Sequence, residues 1–327
     1  MSLSLFRLLS PRVIVGGMLS RVGIIAFNTY REAVRARLLH GLFGLALATG
    51  AYSLVVGALT LGNGMRVISD LGAASASVYG VVVAVMLMAT SLHRELELKT
   101  IFPILARPIR RHEYLAGKYL GALLVLVAFV GANTGALLLA VAQAGGRPAW
   151  QPISGAAVPT GLALVLAFWR RRWSTWLPVP WAAALFVTGV WLAGVAPDER
   201  AVLARSALLT MSEVAIISAA ALVFAAFTSP FLTAVFTFSV FVVGRSADSL
   251  AQLPERVFGA AIRATGEFLA RVVPNLMIYV PPRPLLTGEQ VEPPFGEYAW
   301  LAVTQAMAWS VALLVLASLI FRKRDFQ

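Results

Sequence analysis

The chain has 327 residues, 59% of them hydrophobic and only 13% charged, with a mean hydropathy of +0.80. A water-soluble domain carries roughly 25% charged residues, so a soluble enzyme is excluded and one polytopic membrane protein is indicated. Lys and Arg number 27 against 15 Asp and Glu, and there is no cysteine, which removes disulfides, thiolate metal sites and cysteine nucleophiles; three scattered histidines (His40, His93 and His112) argue against a metal cluster.

At the N-terminus Arg7 and Arg12 interrupt a short apolar stretch and no small-residue cleavage site follows, so the segment is expected to be retained. Across residues 21–37 the apolar Val22, Ile25, Ala26, Ala33 and Val34 fall near helical spacing, with Arg31, Glu32, Arg35 and Arg37 between them. This pattern predicts an interfacial amphipathic helix with its cations beside anionic lipid. A cytosolic extension of the first span is the alternative.

A membrane-crossing helix needs about 20 mostly apolar residues, because its backbone polar groups must be satisfied internally. Six stretches meet that requirement: 38–61, 73–92, 119–143, 206–227, 231–244 with its flanks, and 298–321. Residues 145–205 form a hydrophobic insertion. Within it 177–196 are apolar enough to cross, while Gly155, Pro159 and Gly161 weaken 153–169. The arginines Arg170, Arg171 and Arg172 between the two stretches favour the cytoplasmic side, so an inserted hairpin, making eight spans in all, is expected in preference to a re-entrant arrangement.

Orientation follows from the basic residues beside the span ends. Arg7, Arg12, Arg21, Arg31, Arg35 and Arg37 precede the first span, Arg94, Lys99, Arg107, Arg110, Arg111 and Lys118 follow the second, and Arg322, Lys323 and Arg324 form the tail. All three groups belong in the cytoplasm, with both termini. The connection 62–72 and the loop 245–297 suit the outside. In that loop Ala261, Ile262, Thr265, Phe268, Leu269 and Val272, preceded by Val257 and Phe258, make an apolar stripe opposed by Glu255, Arg256, Glu267 and Arg271, which predicts an external amphipathic helix. Pro281, Pro282, Pro284, Pro293 and Pro294 then impose an extended connection.

Polar residues within spans are few. An ionisable group there is by default a functional candidate, which singles out Glu213; the bland alternative is that it reaches interfacial water or pairs with Arg205 or Arg200 near the outer end of its helix. Asn133, beside Gly131, Ala132 and Gly135, is expected to hydrogen-bond between closely approaching helices.

The connection after the second span, 93–118, is charged at both ends and apolar in the middle. Ile101, Phe102, Ile104 and Leu105 form a hydrophobic surface that a solvated loop has little reason to show, and Pro108 stops any helix at or before Arg107. A short helix that binds a partner is the direct reading.

At these residues the sequence resembles the permease, or transmembrane subunit, of type-2 ABC exporters. The resemblance rests on Glu95-x-Glu97, Thr100, Leu105-x-x-Pro108, Arg111 and Gly117-Lys118 in the order of that family's second span, coupling helix and third span. Arg31-Glu32-x-x-Arg35 resembles its N-terminal interfacial helix, Thr228-Ser229-Pro230 its cytoplasmic turn, and Phe321 to Phe326 its basic tail; Pro274-Asn275 in the external loop also fits. The insertion departs from the family's usual six-span plan. The resemblance implies an all-α polytopic protein in a bacterial inner membrane. It also implies a second permease copy, identical or related, and a separate ATP-binding cassette ATPase that holds ATP and Mg. That ATPase would dock on Glu95, Glu97, Thr100, Phe102, Leu105, Arg107, Pro108, Arg111 and Lys118. Taken singly, Glu95, Glu97 and Lys118 also read as charges capping span ends and snorkelling to the headgroups.

No nucleic-acid partner is expected, and no catalytic, cofactor or metal residues are assigned. A non-transporting membrane anchor or mechanotransmitter is the alternative to transport, although the external loops are too short for the large domain it would need. The chain has no G-x-x-x-x-G-K-[ST] loop to wrap phosphates in backbone N–H groups; Gly117-Lys118 lacks both the upstream glycine and the following hydroxyl. The purified chain is therefore expected to hydrolyse no ATP by itself. Hydrolysis that a substitution in this chain abolishes would contradict this.

Overall fold

The computed structural model describes residues 11–60, 62–97, 110–169, 174–254, 256, 259–280 and 294–323. Among these the chain forms eleven α-helices and no strand. They are α1 (Pro11–Val34), α2 (Arg37–Leu59), α3 (Gly64–Glu97), α4 (Arg111–Ala144), α5 (Trp150–Trp169), α6 (Pro178–Leu192), α7 (Pro197–Ala225), α8 (Pro230–Arg245), α9 (Ala247–Ala251), α10 (Ala260–Val272) and α11 (Phe295–Lys323). Seven of the described helices are long and apolar enough to cross a membrane. Helix α8 is apolar but has 16 residues, a length of about 24 Å against a hydrocarbon core of about 30 Å. These eight helices correspond one for one to the eight expected segments, and the protein is an all-α polytopic membrane protein.

Three helices outrun their expected apolar cores, for local reasons. Helix α3 starts at Gly64 rather than near 73, and an Arg66–Asp70 pair one turn apart supports its polar beginning. Helix α7 starts at Pro197 rather than near 206, with Pro at its first position and Asp198 and Glu199 in its first turn, where the helix dipole favours acids. Helix α4 starts at Arg111 rather than near 119, for a capping reason given below. The N-terminal helix ends at Val34 instead of 37, and a two-residue turn leads into α2.

Helix α4 is the axis of the bundle, packed against α1, α2, α3, α5, α6, α7 and α11. Its contact with α6 is the most extensive of any helix pair, and it depends on glycine. A Cβ on Gly135 would meet the Leu185 backbone at 2.7 Å, and one on Gly189 would meet the Gly135 carbonyl oxygen at 2.7 Å. Backbone thus touches backbone, as small residues allow where lipid gives no hydrophobic drive for helices to associate. The insertion is therefore seated in the core. Helices α5 and α6 pack against each other, Thr188 Oγ1 donates to the Gly155 carbonyl at 3.2 Å, and Trp181 Nε1 donates to Thr160 Oγ1 at 3.1 Å.

Phe27 of α1 stacks on Trp176, in the turn between α5 and α6, at a ring distance of 4.4 Å. That turn accordingly lies at the end of the bundle where α4 begins and α11 ends. At the far end, residues 274–280 strap α8, α9 and α11 together. Leu276 N donates to the Gly244 carbonyl at 2.9 Å, Asn275 Nδ2 to Asp248 Oδ1 at 2.7 Å, and Tyr279 Oη to the Ala302 carbonyl at 3.3 Å.

The stripe expected outside is a helix from Ala260, and Glu255, Val257, Phe258 and Pro281, Pro282, Pro284 and Pro293 lie outside the described residues. Gly266 packs on the Leu250 carbonyl. Ile262, Phe268 and Val272 face outward, while Leu269 is half-buried. Arg263 and Arg271 both reach Glu267 on the polar side.

Because the hairpin's turn touches α1, reporters fused after Arg172 and at Gln327 are expected to give signals from the same side of the membrane. Opposite signals would remove one crossing from this arrangement.

Candidate functional site

Two 34-residue helices, α3 and α4, carry the stems of the connection whose sequence suggests a partner-binding helix. Glu113 fixes where the second stem begins. Its carboxylate accepts from the Arg110 backbone N at 3.2 Å and so caps the helix start. The same side chain is almost fully buried and lies 3.8 Å from Arg21 of α1. Below that pair α1 and α4 come into close contact: a Cβ on Gly117 would strike Ile25 at 2.6 Å, and one on Gly121 would strike the Ala26 carbonyl oxygen at 2.4 Å. Helix α1 and the stem are thus packed closely together over this length.

Arg111 braces a third element. Its Nη1 donates to the carbonyls of Phe321 and Arg322, both at 2.9 Å, where the last turn of α11 has acceptors without helical partners. Tyr114 stacks on Phe321, with the ring centroids 6.4 Å apart. Lys118 faces back toward α3. It is 2% exposed, donates from Nζ to Ser91 Oγ at 2.8 Å, and stands 5.8 Å from the Tyr114 ring. A buried ammonium needs such partners, so Lys118 joins two stems and does not snorkel to the surface.

Of the expected docking residues, Arg111 and Lys118 thus meet at the base of the connection. Glu95 and Glu97 fall in the last turn of α3, with side chains outside the described residues; Thr100, Phe102, Leu105, Arg107 and Pro108 also lie outside them. Sequence reasoning passed over Glu113 and its contact with Arg21. The available signal was an acid three residues after a helix start, the spacing of a capping box.

The opposite end of the bundle holds the intramembrane candidate. Glu213 has no exposed surface, so it does not reach interfacial water. Its partner is Arg245, the last residue of α8, and not Arg200 or Arg205. Arg245 Nε donates to Glu213 Oε1 at 2.6 Å and Nη2 to Oε2 at 2.7 Å, a bidentate pair. Ser77 of α3 closes a triangle: its Oγ donates to Glu213 Oε2 at 2.7 Å and accepts from Arg245 Nη2 at 2.7 Å. Helices α3, α7 and α8 are therefore joined at one point. Arg205 instead lies 4.8 Å over the Phe295 ring. Burial, together with the nearby Glu213 carboxylate, pushes the Tyr279 phenol up. Asn133, expected to bond between helices, is 1% exposed and has no hydrogen-bond partner at either amide atom.

A bundle of long apolar helices with little charge between its ends defines an integral membrane protein. The family model described as ABC-2 family transporter protein matches residues 23–326. The chain belongs to that family and is an ABC transporter permease. No curated protein matches the chain.

Removing one partner of a buried ion pair strands the other's charge, at a cost of about 3 to 5 kcal/mol. Glu213→Ala is therefore expected to lower the thermal midpoint of the detergent-solubilised protein strongly. Glu213→Ala combined with Arg245→Met should recover much of the loss. Equal losses in the single and double variants would deny the pair its stabilising role.

Proposed function

We propose that this permease is the membrane subunit of an exporter. It works as a pair of copies, and a separate ATPase, which holds ATP and Mg, docks on the connection between α3 and α4. The observation that carries this reading is the bracing at the base of the connection. Arg111, Glu113 and Lys118 tie its stems to α11, α1 and α3. A solvated loop needs no such fixing. A loop that receives force from a partner does, because displacement at its tip must reach several helices together.

In this reading Glu95, Glu97, Thr100, Phe102, Leu105, Arg107 and Pro108 form the docking surface. The termini-bearing end faces the cytoplasm of a bacterium, where ATP is available, and the Ser77–Glu213–Arg245 triangle sits toward the outside. ATP binding would draw two ATPase subunits together and carry their docked loops with them. Helices α1, α4 and α11 would follow through the braces, and a path between facing helices would change its opening. The described part of the chain between α8 and α11 forms short helices and a strap rather than a folded external domain, which favours transport over transmission of force to an external partner.

Burying a side chain the size of Phe contributes about 1.5 to 3 kcal/mol. Placing a carboxylate in the same pocket adds a desolvation cost. Phe102→Asp is therefore expected to abolish most co-purification of the ATPase subunit while membrane insertion is kept. Glu97→Arg should act more weakly, since an exposed ion pair is worth about 1 kcal/mol or less. Retention of the ATPase by Phe102→Asp, with normal coupling of hydrolysis, would return the connection to an ordinary basic loop.

A further inference from the structure

A cavity of about 620 Å³ opens between α1, the start of α2, the end of α3 and α4. Its depth in the membrane follows from the helices that bound it. One span begins at Arg37 and another ends at Ser91, and the cavity is lined by Leu38 and Ser91. It therefore lies where two spans leave the hydrocarbon, whichever side of the membrane that is.

The lining changes character across the cavity. Met86, Leu87 and Leu38 supply an apolar wall, and Asn28, Thr29, Thr90 and Ser91 supply polar groups. Arg31 and Arg35 stand at the mouth, exposed, and neither guanidinium has an ion-pair partner among the described residues. Behind the Ser91 hydroxyl lies the buried Lys118 ammonium. Among the described residues Glu32 is the only acid in the lining, where Arg31 and Arg35 outnumber it.

We propose that this cavity seats the headgroup of an anionic phospholipid, its phosphate held by Arg31 and Arg35 and the tops of its acyl chains laid on Leu38, Met86 and Leu87. Three features select a lipid over a soluble anion. The cavity lies at the boundary depth, it has one apolar wall, and its two arginines are exposed. Guanidinium forks suit phosphate oxygens, and basic residues beside a membrane surface draw anionic lipid. The site is separate from the docking surface of the preceding section, so either assignment can fail alone.

The test is lipid retention by the full-length protein, released from membranes of mixed phosphatidylglycerol and phosphatidylcholine and examined by native mass spectrometry. The unaltered protein should retain phosphatidylglycerol in preference to phosphatidylcholine. Each basic residue near an anionic surface shifts such an equilibrium about fivefold, so Arg31→Gln with Arg35→Gln should lower retention roughly 25-fold. Arg31→Lys with Arg35→Lys should keep much of it, and Arg66→Gln, at the far end, should change nothing. Unchanged retention in the double Gln variant would overturn the proposal. Displacement of the lipid by inorganic phosphate would overturn it as well, by assigning the site to a soluble anion.

Discussion

The architecture depends on close backbone contact along α4. In a bilayer, lipid tails are as apolar as the side chains they would compete with, so helices associate through van der Waals contact and a few polar bonds. Helix α4 meets that constraint with glycines at both ends of its length. Gly117 and Gly121 admit α1, and Gly135 admits α6. One helix therefore holds α1 at one end and the inserted hairpin toward the other. The remaining spans have this axis to pack on.

Charge is used sparingly and in two places. At the termini-bearing end, Arg21, Glu113, Arg111 and Lys118 tie four elements around the stems of one connection. At the far end, one bidentate pair and a serine join three helices. Between these two ends the described core buries no charged side chain, its polar groups being Ser and Thr hydroxyls and the Asn133 amide. Buried ion pairs add little net stability against apolar packing, but losing one partner is costly. They act here as markers of position, permitting few alternative registers between helices that would otherwise slide.

The number of helices was legible in the sequence because the bilayer imposes a minimum apolar length on each. Their ends were not, because the pattern that marks a span stops at the hydrocarbon, whereas hydrogen bonding within a helix continues into water. Arg66–Asp70 prolongs α3, Asp198 and Glu199 prolong α7, and the cap at Glu113 prolongs α4. Glu213 stood out as an ionisable group in a span, yet its partner could not be read. Arg205 and Arg200 are nearer in sequence, but Arg245 is brought to it by the antiparallel return of α8. The apolar run Ile101 to Leu105 was legible as a surface without a local purpose, and the partner proposed for it lies outside this chain.

The pair at Glu213 has a geometric consequence. Helices α7 and α8 are joined at one end by a turn in which Ser229 caps α8 through Leu232 N and Thr228 bonds to Thr233 at 2.8 Å. At the other end they are joined by Arg245 and Glu213. Two rods fastened at both ends form a closed frame, and such a frame can tilt or translate but cannot splay. Any widening of the bundle must therefore occur along the outer sides of this frame, with α7 and α8 displaced together as a single panel.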